Sequence, residues 1–398
     1  MCNILYISQL YHESLFDEYF SNSKAALDFA SNNFSRAILK GFKENFVSVD
    51  VLNSPIIGSF PLYYKKLFVK GISSNGFESI SFINLMYLKR LDIRRKMDKR
   101  ILAWCEKNSA NRILFFYSYS HLQVVEKVKS LYPDSKVFVL VADLPEYMPS
   151  SINLVTKISH LIGDDKPASG ACYNLVDGYV LLSAAMKDRF PVGNKPWTVV
   201  EGIYNPEEDD VKEDKEIHKT LLYTGDLGRR YGIVDLLKAF HGIDDPDYRL
   251  WICGNGDGRK DVEEFAKKDN RIIYKGILPR KEVIRLQKKA TLLVNPRKSN
   301  QEYTKYSFPS KTIEYMASGT PTLMAHLQCI PSEYDKYLYY FNDESVSGMR
   351  DSIVKICNMP QSELKQKGEN AALFINIEKT PKPQTRKILD LFNFVCDE

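Results

Sequence analysis

The chain has 398 residues, 44% of them apolar and 26% charged, a soluble globular composition with enough chain for two ordinary domains. Fifty-five basic residues against fifty acidic ones leave a net charge of only +5, so charge gives no argument for nucleic acid. No apolar run approaches the roughly 18 residues that a bilayer span needs, and MCNILYISQL lacks the basic start and cleavage site of a signal peptide.

That first stretch reads as a strand, and short apolar runs then alternate with helical patterns. Residues 3–8 (NILYIS), 46–52 (FVSVDVL), 112–118 (RILFFYS), 136–142 (KVFVLVA) and 178–183 (GYVLLS) read as buried strands. Helix-like segments such as ALDFASNNFSRAILKGF separate them. Residues 60–71 (FPLYYKKLFVKG) are aromatic and basic, and 86–104 carry Lys89, Arg90, Arg94, Arg95, Lys96, Lys99 and Arg100. Together they suit docking on an anionic membrane; a solvated helix face beside a core is the alternative.

The alternation stops at NPEEDDVKEDKE (205–216), a charged linker, and restarts with strands at 219–225, 248–254, 271–276 and 291–296. Strand-helix alternation means parallel sheets covered by helices, here in two Rossmann-like halves. The seven cysteines are scattered with no CxxC pair, which argues against a disulfide framework or a zinc site and fits a reducing cytoplasm.

The stretch YSFPSKTIEYMASGTPTL (306–323) begins a helix at Pro309 and ends it at Gly319 and Pro321. Free N–H groups and the helix dipole at such a start favour an anion, and Ser310 and Lys311 add a hydroxyl and a charge. Glu314 shares a face with Ser310, and a carboxylate just behind a phosphate site suits the paired hydroxyls of a ribose. A capped surface helix is the plainer reading.

In LLYTGDLGRRYGIVDLLKAF (221–240) a strand ends at Gly225 and a turn leads to a helix after Gly232. Backbone N–H groups there suit a diphosphate, with Arg229 or Arg230 supplying charge. The stretch is not GxGxxG, and no acid closes the next strand, which speaks against a dehydrogenase. CGNGDGRKD (253–261) is another strand-end glycine turn. Asp245-Pro246-Asp247 has the look of a metal-binding DxD, but it sits in a turn before a strand and no metal role is expected. Asp143 and Glu146 follow the strand 136–142 at a carboxyl end, where α/β ligands bind. They are candidates for orienting an acceptor or for stabilising positive charge developing on the sugar, or else an ordinary turn. His121 follows the strand 112–118 in the same way.

In this order and spacing, YTGDLGRRYGIVDLLKAF, LWICGNGDG, IIYKGILPRKEV and FPSKTIEYMASGTPTL resemble the donor domain of family 4 glycosyltransferases. More narrowly, they resemble bacterial capsule, exopolysaccharide and O-antigen transferases. The resemblance is strong over 219–358 and weaker through 139–148 and 176–190. It implies a GT-B fold, α/β with two Rossmann-like domains whose parallel sheets face a central cleft, a nucleoside diphosphate sugar donor, retention of anomeric configuration, and neither a cofactor nor a metal.

The domains would be 1–203 on the acceptor side, a linker at 204–218, a donor domain at 219–375, and 376–398 crossing back to the first domain. By position, Gly225 and the 226–230 turn would sit near the donor phosphates, with Arg229 or Arg230 charged against them. Ser310 and Lys311 would meet the diphosphate, Glu314 the ribose, and Ile277 and Leu278 the base. Three departures stand out. Tyr306 replaces the first of the family's paired glutamates, so sugar hydroxyls would meet Tyr306 or a backbone group. Tyr231-Gly232 replaces a Lys-Gly. Asp143 stands where a cleft histidine is usual.

The expected activity is hexosyl transfer from a UDP-type sugar to a glycan, on a polyprenyl diphosphate-linked acceptor in surface polysaccharide synthesis. Asp143, Glu146, Arg230 and Lys311 are the catalytic candidates. The expected location is cytoplasmic, peripheral on the inner face of the membrane, with no nucleic-acid partner. A GT-B epimerase and a non-catalytic GT-B subunit are the rivals.

Overall fold

The structure is a computed structural model that describes residues 2–25, 27–86, 88–142, 144, 170–206 and 213–397. The chain forms two compact units, Met1–Ile203 with Pro381–Glu398, and Tyr204–Thr380.

The first unit contains β1 (Asn3–Ser8), β2 (Asp50–Asn53), β3 (Phe68–Val69), β4 (Ile72–Ser74), β5 (Phe77–Ser79), β6 (Phe82–Ile83), β7 (Arg112–Phe116), β8 (Lys136–Val141), β9 (Gly178–Leu181) and β10 (Trp197–Val199). Eight of them form one sheet in the order β10-β9-β8-β7-β1-β2-β5-β4. Its pairings are parallel except β4 with β5. β3 and β6 form a separate antiparallel pair. The central strands are near-continuous apolar runs because helices bury both of their faces.

β2 starts at Asp50, later than the apolar run at 46 suggests. Phe46 has φ 58° and is 94% exposed, so it belongs to the turn after the helix Phe29–Glu44. That helix is capped by Asp28, whose carboxylate accepts from the Ser31 N–H at 3.0 Å. The terminal helix, Pro381–Asp397, packs against it and belongs to this unit. Its Phe392 ring lies 4.4 Å from Phe138 and 5.4 Å from Phe115, while Phe394 points outward.

The second unit contains β11 (Lys219–Asp226), β12 (Tyr248–Asn255), β13 (Ile272–Gly276), β14 (Leu292–Asn295), β15 (Thr322–Met324) and β16 (Tyr339–Tyr340). All pairings are parallel, in the order β13-β12-β11-β14-β15-β16. Counted within the unit this is 3-2-1-4-5-6, the doubly wound order, which reverses between β11 and β14. Ligands of such sheets bind outside the carboxyl ends of the strands at that reversal.

Residues 213–218, expected as linker, pack on this unit. Glu213 pairs with Arg285 and Lys289, each at 3.5 Å. The Lys215 ammonium donates to Ala290 O and Thr320 Oγ1 at 2.8 and 2.7 Å. The charges that suggested a solvated linker are therefore partly used in docking, and residues 207–212 lie outside the described residues.

No helix among the described residues is long and apolar enough to cross a membrane. Among the described residues no cysteine is in a disulfide.

Candidate functional site

At the carboxyl edge of the second sheet, β11 and β12 end side by side, with Gly225 opposite Gly254 and Asp226 opposite Asn255. Gly254 has φ 135°, and a Cβ built on it would fall 1.8 Å from Gly225 O. Only glycine allows this approach. The turn that follows has its N–H groups already engaged. Leu227 N donates to Asn255 O at 2.9 Å, Gly228 N to Asp226 Oδ1 at 2.8 Å and Arg229 N to Asp257 Oδ1 at 2.7 Å. Two of these three donors thus face anionic oxygens, supplied here by two exposed carboxylates.

The two arginines of the turn behave differently. Arg229 binds Asp261 through Nε and Nη2 at 2.8 and 3.2 Å, so its charge is answered within the unit. Arg230 lies over the Tyr231 ring at 4.6 Å and has no carboxylate partner among the described residues. Gly232 closes the turn with φ 84°; a Cβ there would meet Pro296 O at 2.2 Å. This contact presses the β11 turn against the chain leaving β14, at the reversal of strand order.

The helix Ser310–Ala317 lies between β14 and β15 and starts at the same edge of the sheet. Pro309 precedes it and no side chain caps it. Lys311 Nζ pairs with Glu314 Oε2 at 2.8 Å. The other carboxylate oxygen, Oε1, accepts from Gln287 Nε2 at 3.2 Å. Burial acts to raise the Glu314 carboxyl, but Lys311, with Arg280 and Gln287, outweighs it and holds the group ionised below its usual range. Tyr315 ties the helix to β11: its hydroxyl accepts from Thr224 N at 2.7 Å and meets Thr224 O at 3.1 Å.

Of the sequence candidates, the structure brings Lys311 and Glu314 into direct contact and leaves Ser310 exposed at the helix start. Gly225 and Arg230 stand at the β11 turn. Ile277 follows β13 at 75% exposure, while Leu278 packs toward Leu222, Trp251 and Tyr315. Tyr306 is buried, at 9% exposure. Asp143 and Glu146 lie outside the described residues. Asp245 and Asp247 sit at the amino end of β12, away from the site edge, next to Lys219 and His218 respectively.

Sequence reasoning missed Gln287, Tyr315 and Arg297. Nothing local marks the first two, whose partners are distant in the chain. Arg297, two residues after β14, carried the signal of a cation at a strand exit.

Residues 205–372 match the family model described as "Glycosyl transferases group 1", a span within the second unit and less than half of the chain. The whole chain has the GT-B fold of solved glycosyltransferases. Sucrose-phosphate synthase from Thermosynechococcus elongatus aligns over 99% of both chains with a TM-score of 0.65 at 13% identity. The lipopolysaccharide outer core galactosyltransferase WaaB, in its apo form, aligns over 98% of this chain and 99% of its own, with a TM-score of 0.61 at 12% identity. Anabaena HepE, in complex with UDP, aligns over 98% of this chain and 100% of its own, with a TM-score of 0.61 at 11% identity. No curated protein sequence matches the chain. The second unit thus contains the segment that matches the group 1 glycosyltransferase model, within a chain of GT-B fold.

Proposed function

We propose that this protein is a retaining glycosyltransferase that moves a hexose from a UDP-sugar to a lipid-linked glycan in surface polysaccharide synthesis. The observation that carries the reading is the Lys311–Glu314 pair at the start of Ser310–Ala317, inside the segment matched by the group 1 family model. Lys311 serves the diphosphate, Glu314, held ionised chiefly by Lys311 and oriented by Gln287, the ribose hydroxyls, and Ile277 and Leu278 the base.

In the reaction the bond from the anomeric carbon to the phosphate oxygen breaks, and its electron pair leaves with the diphosphate. Lys311, Arg230 and the helix dipole stabilise that charge. The acceptor hydroxyl attacks from the same face and its proton passes to the leaving phosphate oxygen. Asp143 and Glu146 orient the acceptor.

The test is calorimetric binding of UDP, dUDP and uridine. Lys311→Ala is expected to weaken UDP about 10- to 100-fold, the value of one charge-assisted bond, and uridine less than twofold. Glu314→Gln is expected to weaken UDP more than dUDP. Equal losses across the ligands reject the assignments. Hydrolysis of the UDP-sugar then separates an enzyme from a non-catalytic subunit, and added glycan acceptor separates transfer from epimerisation.

Membrane docking is the second part of the proposal. Leu62, Tyr63, Leu67, Phe68, Leu88 and Leu91 are exposed in the first unit. The basic segment becomes the helix Leu88–Lys107, where Lys96 pairs with Asp92 and Arg100 with Glu78. Lys89 donates to Ile57 O. Arg94, Arg95 and Lys99 remain exposed, and each contributes roughly 1 kcal/mol near an anionic surface. Flotation with anionic vesicles at low salt is expected. Flotation that survives Arg94→Ser, Arg95→Ser and Lys99→Ser together, or ignores lipid charge, rejects the surface.

A further inference from the structure

Arg297 is 7% exposed, yet its guanidinium has neither a hydrogen bond nor an ion pair among the described residues, and its Nε is fully enclosed. Tyrosine rings flank it instead, Tyr303 at 4.6 Å and Tyr231 at 5.9 Å. The Tyr303 hydroxyl is likewise buried without a partner among the described residues. An arginine does not shed its proton on burial. A buried permanent charge is strongly unfavourable unless an opposite charge meets it, and ring faces offset only part of that cost.

Its place in the fold points to what answers the charge. Arg297 leaves β14 at the strand-order reversal, beside Pro296, whose carbonyl presses on Gly232 of the β11 turn. The Tyr223 hydroxyl donates to Asp226 O at 2.5 Å in the same turn. Burial raises that hydroxyl's pKa, Tyr315, Asp226 and Tyr231 push the same way, and Arg297 is the cation that opposes them. The guanidinium therefore lies beside the β11 turn, where Tyr231 and not a lysine precedes Gly232.

We propose that Arg297 is a donor-binding residue that receives the phosphate oxygens of the nucleoside diphosphate, supplying from β14 the charge that Tyr231 cannot supply from β11. This rests on the nucleotide-sugar reading above. Tyr231, ringed by Arg230 and Arg297, then acts as the spacer that holds two guanidinium groups near one anion.

The test uses Arg297→Met and Arg297→Lys in the full chain, with UDP, UMP, uridine and inorganic pyrophosphate as probes. Arg297→Met is expected to bind UDP at least about 30-fold more weakly, UMP less affected, and uridine within twofold. Arg297→Lys is expected to recover part of the UDP loss. Ligand-free Arg297→Met is expected to melt no lower than the parent, because an unanswered buried charge has been removed. A variant that melts lower but, once folded, binds UDP like the parent makes Arg297 structural and overturns the proposal. If the parent binds no nucleotide, the nucleotide-sugar reading fails by itself. Pyrophosphate then decides on Arg297: protection of the parent but not of Arg297→Met upholds an anion site there, and no protection of either overturns it.

Discussion

The first strand of each unit ends at a sheet edge with backbone groups that need partners, and the two units satisfy them in opposite ways. After β1, the buried amide of Asn53 does it. Its Oδ1 accepts from Leu10 N at 2.8 Å and Ser8 Oγ at 2.9 Å, and its Nδ2 donates to Leu10 O and Ser79 Oγ, each at 3.0 Å. After β11, exposed Asp226 and Asp257 receive the N–H groups of Gly228 and Arg229. A neutral, fully buried clamp is permanent. Solvent-facing carboxylates hold the corresponding donors where water reaches them.

The strand beside the first one repeats the contrast. Beyond β14 the second unit buries Arg297, whose charge is fixed. Beyond β7 the first unit buries His121, which burial holds neutral. Doubly wound topology offers a crevice at each strand-order reversal, and beside the second unit's reversal the buried residue beyond the neighbouring strand carries a fixed positive charge.

The contrast breaks if either exit tolerates change. Gly254→Ala is expected to destabilise the second unit by about 4 kcal/mol, because the strands must part to admit a Cβ against Gly225 O. Asn53→Ala is expected to destabilise the first unit by about 3 kcal/mol, since it strands several buried polar groups, while UDP affinity stays within twofold. Urea unfolding followed by unit-specific tryptophan signals reads both. A loss below about 1 kcal/mol in either case removes the corresponding half of the comparison.

His121 gives a smaller, pH-dependent effect. Burial lowers its pKa to about 4 in the folded chain, against about 6.5 when unfolded. Between those values the unfolded state takes up the proton first. Stability of the first unit is therefore complete above about pH 6.5 and falls toward pH 4, by about 2 kcal/mol at pH 5. His121→Gln is expected to flatten that part of the profile. An unchanged slope shows that other groups govern it.

Much of the architecture was legible because buried parallel strands read as short apolar runs and doubly wound chains alternate them with helices. The long strands of both units fall where those runs lie. β3, β4, β5, β6, β10, β15 and β16 did not announce themselves, since two or three residues are too few for a pattern. Within the site, Pro309, Ser310, Lys311 and Glu314 were legible because they are neighbours on one helix.

The local sequence determined the elements and their punctuation: the glycines at 225, 232 and 254, the helix start at Pro309, and the i, i+3 pairing of Lys311 with Glu314. Each depends on residues a few positions apart, whose geometry the backbone dictates. Tertiary structure alone decided that Tyr315 grips Thr224, 91 positions earlier, and that Gln287 orients Glu314 from another helix. It also decided that Arg229 is spent on Asp261 while Arg297 is buried without a carboxylate partner among the described residues. Two arginines look alike in a sequence, but whether a charge is available depends on which carboxylates folding brings beside it.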